Sequence, residues 1–104
     1  MRGRMGGMAT IREILTLLRK RPAMFIPQPT PINVGLFMDG FLTACNAYGV
    51  KAASRDIEDV AERRGWGRSD ILSAMREKGL SEPQIMEEVV SLYEQAITEA
   101  ANRA

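Results

Sequence analysis

Apolar residues recur at helical spacing in five runs along the chain, separated by breaks rich in glycine, proline or charge. Ile11, Ile14, Leu15 and Leu18 form the first stripe, on a helix expected over 10–20. Thr10 stands three residues before Glu13, the spacing of a capping box, in which each side chain accepts from the other residue's free backbone N–H. Val34, Phe37, Met38, Phe41, Leu42 and Cys45 form a broader face over 31–48. That breadth makes the second helix the expected centre of the core, and Gly40 within it is expected to admit a neighbouring helix or ring at close range. Ser54 is the expected cap of a third helix, 55–64, with Ile57, Val60 and Ala61 inward. Ile71, Leu72 and Met75 mark a short fourth helix over 70–78, closed by Gly79. A second capping box, Ser81 with Gln84, opens a fifth helix over 82–101 carrying Ile85, Val89, Leu92, Ala96 and Ile97. No segment alternates apolar and polar residues as a strand requires. The fold class expected is all-α, a compact bundle of about five helices.

The breaks carry information of their own. Arg19, Lys20 and Arg21 end the first helix where positive charge suits the carbonyl end of the helix dipole, and Pro22 disfavours helical backbone at Arg21. From Pro22 to Pro31 the prolines exclude regular helix and sheet, so an extended crossing is expected, pinned to the core by Met24, Phe25 and Ile26. Thr30 and Pro31 then suit the N-cap and first position of the second helix. Residues 1–8, rich in glycine and arginine, read as an unstructured lead, leaving 9–104 as one domain.

Composition narrows the function. Fourteen basic residues against thirteen acidic leave a net charge of +1, too small to draw in nucleic acid or an anionic membrane by long-range field. No apolar run approaches the roughly 20 residues that span a bilayer, and no secretory leader is legible. With a single cysteine besides, the expected location is cytoplasmic. The chain has no histidine, so it lacks the side chain best suited to proton transfer near neutrality and the usual ligands of a His/Cys zinc site. No catalytic residue, metal or cofactor is expected. Cys45, among apolar neighbours near a helix C-terminus, reads as buried and inert.

Three candidate sites remain. On the last helix Met86, Val90 and Tyr93 lie beside the main stripe, and that surplus points to an interface, with a homodimer through this helix as the expectation. Trp66, between two glycines, reads as a cap over the core or as a partner's anchor. Residues 55–78 form helix, glycine turn and helix, the outline of a DNA reader in which Arg63, Arg64, Arg68, Ser69, Ser73 and Arg76 would meet the duplex. Asp70 and Glu77 on the would-be recognition helix oppose that reading.

Arg21-Pro22-Ala23-Met24-Phe25-Ile26, followed by Phe37, Asp39, Gly40 and Phe41, resembles small, mostly uncharacterised bacterial proteins with an RPAM[YF][IL] stretch and an F-x-DG-[YF] helix, some of which look like immunity proteins of toxin–immunity systems. Pro27 stands where that pattern has glycine, and the resemblance ends by Tyr48. It implies a non-enzymatic binding protein with Arg21 and Asp39 as a structural ion pair. The function expected is therefore a small protein-interaction or regulatory protein, immunity-like, whose partner is another protein. A DNA-binding regulator is the alternative.

Overall fold

The computed structural model describes residues 2–103, with side chains from Met8 onward. Five α-helices form in chain order: α1 (Arg2–Lys20), α2 (Pro31–Asn46), α3 (Ser54–Arg63), α4 (Ile71–Glu77) and α5 (Glu82–Arg103), with one 3-10 turn at Pro22–Met24 between α1 and α2. Among the described residues there is no strand.

Caps at two of the helix starts follow the local chemistry. Thr30 Oγ1 accepts from the Asn33 N–H at 3.2 Å and opens α2. Ser81 and Gln84 satisfy each other's backbone N–H at 2.8 and 3.3 Å and open α5. Two other starts differ from expectation. The lead expected at 1–8 falls mostly on residues whose side chains lie outside the description, and the α1 backbone starts at Arg2. Thr10 is therefore inside the helix and is not its cap. In α3 the N-cap is Ala53, whose methyl accepts nothing; half a capping box remains, with the Ala53 N–H donating to Asp56 Oδ2 at 2.7 Å.

Pro22 ends α1 as expected, yet the crossing is not extended from its start. The prolyl φ suits the first position of a helical turn, and the Phe25 and Ile26 N–H groups both donate to the Pro22 carbonyl. Of the three apolar residues expected to pin this segment, only Ile26 is buried; Phe25 is half-buried and Met24 points out.

One contiguous core runs through all five helices. Its centre is α5, which packs against each of the other four; α2 rests chiefly on α5. This reverses the expectation that α2 is the central helix. The molecule is only 16 Å deep along its shortest axis, about the depth that two helix layers fill at roughly 8–10 Å separation. In a two-layer body a peripheral helix is covered on one side only, and α2 is such a helix.

Candidate functional site

Along α2, Val34, Met38, Leu42 and Cys45 face the core. The opposite side carries Ile32, Leu36, Gly40, Thr43, Ala44 and Ala47, all exposed. Ile32 and Leu36 keep 59% and 65% of their surface in contact with solvent, as do 63% of Met24 on the preceding turn. A side chain placed at Gly40 would meet nothing within 4 Å, so the close neighbour expected there is absent among the described residues. One flank of the helix is aromatic: Phe37 meets Phe25 edge-on at 5.8 Å between ring centroids and stacks on Phe41 at 6.1 Å. Asp39 is the only charged residue on α2, and it lies on the other flank. Asp39, itself exposed, borders the outward face on the Ile32 side, and the face carries no other charge from α2. Apolar helices of this kind are ordinarily covered on every side.

Asp39 and Arg21 do not meet: no ion pair joins them, and Asp39 instead accepts a short hydrogen bond from the Tyr93 hydroxyl of α5. Burial, with Asp39 as acceptor, pushes the Tyr93 phenol above its ordinary range. The second stripe on α5 has a similar internal explanation. Val90 and Tyr93 are buried in the chain's own core, and Met86 is half-buried where it lines a cavity of about 210 Å³ with Leu18, Pro22 and Val34. Four helices pack on α5, so it needs an apolar surface wider than a single stripe, and that width is used up within the fold.

The arginines of the helix-turn-helix reading are committed to carboxylates. Arg63 holds Glu99 at 2.6 and 3.1 Å, and this pairing, with Gln95 assisting, pulls the Glu99 carboxyl down to about 2. Arg64 holds Glu88 at 2.9 Å and also donates to Gln95 and Ser91. Arg68 bridges Asp59, Glu62 and Glu58 at 2.7, 2.9 and 3.4 Å, and Arg76 meets Glu82 at 3.4 Å. Trp66 packs against the core, and its indole N–H donates to Glu88 at 2.8 Å, so it closes the same cluster. Ser69 is exposed and Ser73 half-buried. The would-be recognition helix, α4, has only seven residues.

A second concavity of about 280 Å³ lies between α2, α3, α4 and α5, with Ile57, Leu72, Val89 and Tyr93 in its walls and Asp70 at its rim. Its lining is almost wholly apolar. Cys45 is buried, and loss of hydration pushes its thiol up to about 11, so it is a thiol and not a thiolate at neutral pH. Among the described residues no group of three or more His, Cys, Asp or Glu side chains is placed to hold a metal ion, and no helix is long and apolar enough to cross a membrane.

Sequence reasoning missed Ile32 and Leu36, although the signal was present. A 16-residue helix with one charge has apolar residues on more sides than one partner helix can cover. Compared with protein-family models, with curated proteins and with solved structures, the chain matches none of them.

Proposed function

We propose that this chain is a small cytoplasmic, non-enzymatic protein-interaction protein, immunity-like in acting by covering a partner's surface, and that it binds through the outer face of α2. The observation that carries the reading is that face: two large aliphatic side chains more than half exposed on a helix with a single charge, and that charge already engaged by Tyr93. Burying such a side chain fully is worth about 1.5–3 kcal/mol, which gives a partner reason to cover it. The two motifs of the resemblance meet on the flank of this face, where Phe25 of the first packs on Phe37 of the second. DNA reading has weaker support. Phosphates would have to displace carboxylates that already hold Arg63, Arg64, Arg68 and Arg76.

The test is affinity capture from source-cell lysate with three baits: the wild-type chain, Leu36→Glu and Arg68→Glu. Both substituted positions are exposed, so each variant should fold. A protein retained by wild type and by Arg68→Glu, and lost with Leu36→Glu, supports the reading. Retention that ignores Leu36→Glu contradicts it, as does retention of nucleic acid that is lost with Arg68→Glu and falls steeply with salt.

A further inference from the structure

We infer that the concavity between α2, α3, α4 and α5 binds a small organic ammonium ion with an apolar body of about one ring. The inference stands apart from the outer face of α2 and does not rest on it. Size comes first. The concavity holds about 280 Å³, whereas an apolar cavity of about 150 Å³ already takes up benzene. One ring with a short chain therefore fits against Ile57, Leu72, Val89 and Leu92, which reach the space from three helices. Gly35 keeps that space open. It lines the α2 side, and a side chain built there would meet nothing within 4 Å. Glycine is a poor helix former, so the opening is made at the expense of α2.

Charge selects the occupant. Among the described residues Asp70 is the one charged group in the lining, and its side chain has neither a cation nor a hydrogen-bond donor. Arg68, the nearest cation along the chain, is taken by Asp59, Glu62 and Glu58. A second carboxylate, Asp39, stands one turn beyond Gly35 on α2 and holds the hydroxyl of Tyr93, whose residue forms part of the same wall. That bond uses Oδ1 and leaves Oδ2 without a partner among the described residues.

Two carboxylates with no cation of their own thus border an apolar hollow. An anion is repelled by both, and a neutral ligand answers neither. An ammonium group at the rim, with its apolar body inside, answers both the charge and the hollow. Asp39 and Asp70 are exposed, so their charge adds selectivity more than strength. A ligand of about ten non-hydrogen atoms then binds with a dissociation constant on the order of 100 µM.

Methyl-detected NMR titration of the full chain with phenethylammonium, and separately with phenylpropanoate, tests it. Two variants locate the site. Asp70→Asn removes the charge at a position with φ of 47°, a left-handed backbone that asparagine suits as well as aspartate does. Gly35→Leu fills the hollow with a better helix former, so its thermal melt should not fall. The expected result is saturable shifts at the Ile57, Leu72 and Val89 methyls with the ammonium ion and at least tenfold weaker binding of phenylpropanoate. Asp70→Asn should weaken the ammonium ion at least threefold, and Gly35→Leu should abolish its binding. Equal binding of the two probes, or shifts that never saturate, overturns the inference, as does binding that a folded Gly35→Leu leaves intact. If Gly35→Leu melts early, Asp70→Asn decides alone, and undiminished binding in it overturns the inference. Butylammonium, the end of a lysine side chain, binding as tightly as the ring-bearing probe would give the site to a partner's lysine and overturn the small-molecule assignment.

Discussion

The Tyr93 hydroxyl on α5 donates to the Asp39 carboxylate on α2 and ties the peripheral helix to the central one. Tyr93 is 8% exposed, so its hydroxyl has little water to fall back on. A hydrogen bond to a charged acceptor is worth about 1.5–3 kcal/mol, and the exposure of Asp39 lowers that to about 1–2 kcal/mol. Asp39→Ala and Tyr93→Phe should each cost that much, and the double variant little more than either. Urea unfolding of the four proteins in a double-mutant cycle measures the coupling. Strict additivity would mean the bond contributes nothing.

The same pair sets a response to alkali. The folded-state phenol titrates above the ordinary 10.0, pushed there by burial and by Asp39. A raised pKa gives stability that is fully present below pH 10 and lost as pH rises beyond it. In a Tyr48→Phe background, where Tyr93 is the only tyrosine, phenolate absorbance should therefore appear late and together with unfolding. Tyr93→Phe should flatten the stability profile above pH 10. Phenolate forming at pH 10 in a still-folded chain would refute this.

Arg64 and Arg68 are both ion-paired, but burial separates them. Arg64 and Glu88 are each about three-quarters covered, while Arg68 and its three carboxylates are far more exposed. Arg64→Met should destabilise by about 1–2 kcal/mol, since it also leaves Gln95 and Ser91 without their donor. Arg68→Met should cost clearly less than Arg64→Met, because solvent screens that cluster. Chemical denaturation in low and high salt decides the matter; the opposite order would show that the number of partners outweighs burial.

Two glycines should respond in opposite directions. Gly40 lies within α2 with open space around it, so alanine there should stabilise the chain by about 0.5–1 kcal/mol. Gly79 follows α4 with φ of +90°, a backbone that side chains resist, so alanine there should cost about 1–2 kcal/mol. Thermal melts at low protein concentration separate them, and loss of stability in both would contradict the placement of Gly40.

Features governed by near neighbours were legible in part: Thr10 and Ser54 read as caps but lie within α1 and α3, whereas two other caps and the stripes were read correctly. Thr30 with Asn33 and Ser81 with Gln84 close caps over three residues, and all five apolar stripes formed helices. What depends on distant pairing was not legible. Arg19 meets Glu94 at a separation of 75 residues and Arg63 meets Glu99 at 36, so arginines that read as free cations are neutralised from elsewhere in the chain. Position within the bundle was equally hidden. Both α2 and α5 are apolar on several sides, and periodicity alone does not say which is surrounded. Because α5 takes the centre, the stripe through Val90 and Tyr93 is interior and the surplus surface belongs to Ile32 and Leu36.

The most direct measurement is NMR of the Ile32 and Leu36 methyl groups with a soluble paramagnetic agent, first on the chain alone and then with the protein captured by the wild-type bait. The account predicts strong relaxation of both methyls when the chain is alone and marked protection when the occupant is present. Methyls that stay fully accessible in the complex, while another surface becomes shielded, would contradict it.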